Sequence, residues 1–204
     1  MKLFNLGLPK SGTTTLHTAL EKAGIKSAHW EFYPRMGIGL RAHQFVGANI
    51  YRSYLRGADP LAGLKEWDAV TQADQIVAPY SLWPQMDFPL MQRIREHHPD
   101  CLFLLLTRDP AKVANSIMRW GDMHKRFMDM GAPWLTPQMA QTEAGFQDWV
   151  EGHYDRTRTM FADDPHFLEV DIATPDIQGI LSDRLSLDLP WWGTANTNTE
   201  NPAS

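Results

Sequence analysis

The sequence predicts an α/β fold, with helices layered on both sides of a central, mainly parallel sheet to give three layers. Three observations carry that expectation. Residues 101–106 form the unbroken apolar run Cys101-Leu102-Phe103-Leu104-Leu105-Leu106, the pattern of a strand covered on both faces. Strand-like and helix-like stretches alternate along the chain, as βαβ units require. The first strand runs into a glycine-bounded turn that opens directly onto a helix. A chain of 204 residues buries a sizeable core as one domain, so a single domain over 1–204 is expected.

The elements follow in order. Residues 2–6 read as the opening strand, and residues 13–23 as a helix with Leu16, Leu20 and Ala23 on one side before Gly24 stops it. Residues 25–30 read as a second short strand and 41–56 as a helix, against the grain of Gly47 and several β-branched and aromatic residues. A strand is expected over 67–71, ending near Gln72 and Asp74, then a turn-rich stretch through Pro79, Pro84 and Pro89. A helix over 89–98 leads to Pro99-Asp100 and the central strand. Asp109-Pro110 reopens a helix, because aspartate caps free amides and proline fits the first helical position. Residues 143–161 read as a further helix, 167–170 as a last strand, and 194–204 as a polar, fraying tail. The stretch 120–137 holds Met123, Phe127, Met128, Met130 and Trp134 among Lys125 and Arg126. It reads as packing, with a lid or acceptor-side insertion as the functional alternative.

Composition narrows the chemistry. A net charge of -5 argues against nucleic acid as a partner and leaves room only for a local anion site. The single cysteine, Cys101, excludes an intrachain disulfide and a cysteine-rich zinc site, and no metal site is expected. No stretch approaches the ~18 apolar residues of a transmembrane segment, and the start of the chain lacks a secretory hydrophobic region, so a cytoplasmic protein is expected.

The turn after the first strand, Gly7-Leu8-Pro9-Lys10-Ser11-Gly12-Thr13-Thr14, carries the chemistry. A strand that turns through small residues into a helix aims several backbone N–H groups, and the positive end of the helix, at one point, which suits phosphate or sulfate. Lys10 adds a mobile charge, and Thr13 and Thr14 add hydroxyls. Gly7 through Gly12 has the spacing of a Walker A loop, so the expected fold is P-loop-like. Thr13, however, stands where that loop requires lysine, and the nearest ammonium lies three positions earlier in the chain.

A second anion element follows the central strand. Parallel strands bring their carboxyl ends to one side of a sheet, so Arg108, at the end of this strand, approaches the first loop from about a hundred residues away. Its planar fork of donors suits phosphate oxygens, and Ser116 in the following helix adds a hydroxyl. Asp109 reads as a cap rather than an acid catalyst. Two anion clamps fit a ligand with two phosphate groups.

With those residues in view, the sequence resembles the sulfotransferases that use 3'-phosphoadenosine 5'-phosphosulfate (PAPS), and in particular small bacterial sulfotransferase-like proteins. The first loop is similar to the family's 5'-phosphosulfate loop, and Arg108-Asp109-Pro110 with Ser116 to its 3'-phosphate element. Asp171 and Trp191-Trp192-Gly193-Thr194-Ala195-Asn196 resemble its closing segment less specifically. The resemblance implies transfer of a sulfuryl group from PAPS to a hydroxyl or amine of a small-molecule acceptor, leaving 3',5'-phosphoadenosine. Pro9, Lys10, Ser11, Gly12, Thr13 and Thr14 would then bind the 5'-phosphosulfate, with Lys10 also catalytic, and Arg108 and Ser116 would bind the 3'-phosphate. The attacking acceptor calls for a general base, and no motif identifies it. Asp74 is the first candidate, from its place after the 67–71 strand, and His124 the second. Asp87, which also reads as a helix cap, and His29 remain alternatives. A catalytically silent 3',5'-phosphoadenosine-binding protein and a nucleotide-dependent kinase are the competing readings.

Overall fold

The computed structural model describes residues 1–32 and 44–195 in full, and the backbone of 35–36 and 40–41. A 7-stranded sheet runs through its middle. Five of its strands are parallel: β1 (Leu3–Asn5), β2 (Ser27–His29), β7 (Ala69–Gln72), β10 (Leu102–Thr107) and β11 (Phe167–Asp171). Across the sheet they lie in the order β11-β10-β1-β7-β2, and β3 (Glu31–Phe32) and β6 (Gln44–Phe45) extend the β2 edge antiparallel. Two short ladders stand apart, β4 (Arg35–Met36) with β5 (Leu40–Arg41) and β8 (Gln75–Val77) with β9 (Tyr80–Leu82).

The apolar run of β10 explains the sheet's position. All six of its residues are buried, and the five apolar ones alternate between two cores. Phe103 and Leu105 join Phe4, Val113, Ile117, Phe127, Phe146 and Trp149 in the larger core. Leu102, Leu104 and Leu106 face Leu16, Leu20, Ile177 and Leu181 in the smaller one. The period of two thus feeds helices on both faces: α1 (Thr13–Lys22) and α7 (Ile177–Leu185) on one, and α3 (Phe88–His97), α4 (Pro110–Arg119) and α6 (Glu143–Met160) on the other. Caps start these helices where the sequence suggested: Asp87 accepts from Leu90 N at 3.1 Å and Asp109 from Lys112 N at 3.2 Å.

The structure departs from the expectations at the edges. The helix expected over 41–56 contracts to α2 (Val46–Tyr54), because residues 44–45 are taken up as edge strand β6; residues 42–43 lie outside the described residues. The turn-rich stretch around Pro79 is the β8–β9 hairpin followed by a single 3-10 turn at Pro84–Met86. Helix α7 was not anticipated. In the 120–137 stretch, α5 (Met123–Met130) buries Met123 and Phe127 in the larger core, while Met128 and Trp134 stay exposed. The tail beyond residue 195 lies outside the described residues.

Candidate functional site

The carboxyl ends of β1, β7, β10 and β11 converge on a cleft of about 620 Å³. Pro9, Lys10, Gly12, Thr13, Thr14, Arg108 and Ser116 all line it, so two elements far apart in the chain share one cavity. Ser11 is the exception among the expected ligands. It is fully buried behind the loop, where its hydroxyl donates to Leu8 O at 2.7 Å and helps close the turn.

Local geometry turns the loop into a cradle. Asn5 clasps the strand ends: its Nδ2 donates to Thr71 O at 2.9 Å and its Oδ1 accepts from Gly7 N at 3.1 Å. A side chain at Gly7 would meet Leu106 O at 2.6 Å, so only glycine lets the loop lie against β10. Gly12 precedes α1 at φ +100, and a Cβ there would meet Ile172 Cγ2 at 2.8 Å. The first bond of α1 runs from Leu16 N to Gly12 O, which by helix geometry leaves the amides of Thr13, Thr14 and Thr15 pointing outward at the positive end of the dipole.

The cations are held close together. Arg108 Nη1 donates to Lys10 O at 3.0 Å, tying the second anion element to the first loop. Lys10 sits at φ 70 with Nζ 3.9 Å from the centre of the Trp120 ring, a cation–π contact. Burial first, and the Arg108 charge second, lower the Lys10 pKa from its ordinary value. An anion bound beside Lys10 would offset both the burial and the Arg108 charge that weaken its ammonium.

Thr13 and Thr14 each have a partner behind them. Thr13 Oγ1 donates to Gln72 Oε1 at 2.9 Å, and Thr14 Oγ1 lies 3.5 Å from His29 Nε2. His29 stacks on His17 with ring centres 4.8 Å apart, and its Nδ1 is 3.1 Å from Thr71 Oγ1. Burial, then the neighbouring His17, pushes the His29 pKa down to about 3, so the ring is neutral at neutral pH.

The other base candidates stand away from the cleft. Asp74 is buried beneath it and accepts from Gln72 Nε2 at 3.0 Å and Gln85 Nε2 at 3.3 Å; burial pushes its carboxyl up to about 6. His124 Nε2 is 2.8 Å from Ala140 O, with its ring edge-on to Phe146. Asp87 caps α3 and accepts from the Tyr51 hydroxyl at 3.1 Å. Of the 120–137 stretch, Trp120 is the described residue that lines the cleft.

The structure adds cleft residues that the sequence reading did not single out. Gln72 ends β7 and Ile172 follows β11, and both line the cavity because strand ends converge there. Trp192, Gly193 and Thr194, from the closing segment quoted in the sequence, line it as well, and Ala195 N donates to Thr15 Oγ1 at 3.4 Å, so the segment after α7 lies over the start of α1. Among the described residues no helix is long and apolar enough to cross a membrane, and no group of acidic, histidine or cysteine side chains is arranged to hold a metal ion.

A glycine cradle with outward-pointing first-turn amides, a half-buried lysine and an arginine bonded to that lysine's carbonyl line one cleft. A search of the curated proteins finds no match. The family model described as the sulfotransferase domain matches residues 2–177, which takes in the loop, Arg108, Ser116 and Ile172, and the chain belongs to that family.

Proposed function

We propose that the protein is a PAPS-dependent sulfotransferase acting on a small-molecule hydroxyl or amine. One observation carries the reading: Arg108 bonds to the Lys10 carbonyl and both residues line one cleft, which supports a single ligand that carries more than one anionic group. Family membership supports PAPS binding and sulfuryl transfer in general. The strand order β11-β10-β1-β7-β2, with helices on both faces, supports a three-layer, P-loop-like reading of the fold.

In this reading Lys10 and the amides of Thr13, Thr14 and Thr15 hold the 5'-phosphosulfate, and Arg108 and Ser116 hold the 3'-phosphate. PAPS supplies a sulfuryl group activated by its phosphate leaving group. As the bond from sulfur to the bridging oxygen breaks, negative charge collects on that oxygen. Lys10 and the fixed amides aimed there stabilise the charge and lower the barrier. Trp120, Ile172 and Trp192 give the cleft apolar surface beside its charges, as a nucleoside requires. Of the base candidates, His124 would first have to give up its bond to Ala140 O. Asp74 reaches the cleft only through Gln72.

Calorimetric binding of 3',5'-phosphoadenosine, 5'-AMP and ATP, each with and without magnesium, tests the reading. It predicts preference for 3',5'-phosphoadenosine with no metal requirement. Arg108→Ala should weaken that ligand by roughly 10- to 100-fold, as loss of a charged hydrogen bond does, and narrow its advantage over 5'-AMP. Equal binding of 5'-AMP, or ATP binding only with magnesium, refutes it. Turnover of PAPS with an acceptor panel then separates an enzyme from a silent binder.

A further inference from the structure

Asp74 has an unusual setting for a carboxyl group. It is 1% exposed, and its side-chain partners are two amides, Gln72 and Gln85, with no cation among the groups that act on it. Nearby glutamines add no charge: Gln75 Oε1 and Gln85 Oε1 are buried without hydrogen-bond partners. The amide of Gln72 links this carboxyl to the cleft, since its other end accepts from the Thr13 hydroxyl.

The direction of that relay follows from charge. A carboxylate can only accept, so it turns the Nε2 end of Gln72 towards itself and leaves Oε1 facing Thr13. Thr13 then spends its hydroxyl hydrogen on Gln72, and presents lone pairs to a cleft built for anions. That is the wrong polarity for a phosphate or sulfate oxygen. A neutral carboxyl removes the conflict. Its O–H donates to Gln72 Oε1, the amide turns over, Nε2 donates to Thr13 Oγ1, and the Thr13 hydrogen is released towards the anion. The proton comes from solvent, and no covalent bond of the ligand changes.

We propose that Asp74 is a positioning residue whose protonation sets which end of the Gln72 amide faces Thr13, so that anion binding at the loop takes up a proton at Asp74. The proposal rests on the reading of the cleft as the site of the 5'-phosphosulfate and gives Asp74 a role other than general base. The burial that lifts its pKa to about 6 makes the proton available near neutral pH.

Inorganic sulfate is the probe, because it does not itself titrate near neutral pH. Its binding is measured by calorimetry from pH 5 to 8 in buffers of different ionisation heat. Wild type should take up close to one proton per sulfate above pH 6, and affinity should fall by up to about tenfold per pH unit there. Asp74→Asn, whose amide donates to Gln72 Oε1 permanently, should bind about as tightly at pH 8 as wild type does at pH 5, with that proton uptake gone. Gln72→Met, which leaves the carboxyl in place but removes the amide that links it to Thr13, should also flatten the profile. Sulfate binding without proton uptake in wild type overturns the proposal even where a variant fails to fold, and so does uptake that persists in a folded variant. The donor reading fails separately, if 3',5'-phosphoadenosine shows no advantage over 5'-AMP.

Discussion

At the scale of single residues, Lys10 is the side chain on which the proposed chemistry turns. Its left-handed backbone and its bond from Arg108 fix the carbonyl, while the ammonium rests on the Trp120 ring within the same cleft. A cation–π contact at a partly exposed site is worth about 0.5–1 kcal/mol, small enough for a phosphosulfate to displace. Charge that appears only in the transition state gains most from such a group. Lys10→Ala is therefore expected to lower kcat by roughly 100- to 1000-fold, the size of effect seen on deleting one transition-state donor. Binding of 3',5'-phosphoadenosine should weaken much less, since Arg108, Ser116 and the first-turn amides remain. Steady-state kinetics with PAPS, set beside calorimetry of the product nucleotide, separates the two quantities. An equal loss in both would make Lys10 a ground-state ligand only.

At the scale of elements, the join of β1 to α1 is where backbone conformation, packing and ligand geometry coincide. Gly12 combines φ +100 with a contact to Ile172 that leaves no room for a methyl group. Gly12→Ala should cost about 1–3 kcal/mol of stability and weaken anion binding, measured by urea unfolding and sulfate calorimetry. Normal affinity at reduced stability would mean that the cradle tolerates a shift of Ile172. This join was legible in the sequence because its features are local: glycines, a lysine and hydroxyls in one turn. The β10–α4 join was legible for the same reason, through an unbroken apolar run and an Asp-Pro start. The antiparallel edge was not, since β3 and β6 are two residues each and carry no period. Helix α7 buries only Ile177 and Leu181, too thin a stripe to stand out, and its cap Asp176 sits in the left-handed region at φ 59. Gln72 was missed because an amide at a strand end has no motif; its meaning comes from Thr13 and Asp74, which only the fold brings to its two ends.

At the scale of the whole molecule, two buried titratable groups and the part-buried His29, all close to the site, make stability depend on pH in opposing directions. His153 is fully buried in α6, its Nε2 2.8 Å from Leu6 O just before the loop, and burial pushes its pKa down to about 4 from 6.5. His29 is pushed down to about 3 from the same value. Both histidines are neutral when folded, so their contribution is fully present above pH 6.5 and is lost as pH falls towards 4 and 3. Asp74 runs the other way. Its folded pKa of about 6 exceeds the ordinary 3.8, so the folded state gains relative stability as pH falls from 6 to 3.8. Two histidines against one carboxyl leave a net loss on the order of 3 kcal/mol between pH 6.5 and 4, a fall in Tm of roughly 6–12 °C for a chain of this size. His153→Gln, which keeps a donor for Leu6 O but cannot titrate, should make the decline shallower. Asp74→Asn removes the opposing term and should make it steeper. Thermal unfolding followed from pH 7 to 4 checks both signs together, and a decline unchanged by either substitution would show that the acid limit of this fold lies outside the groups that surround its cleft.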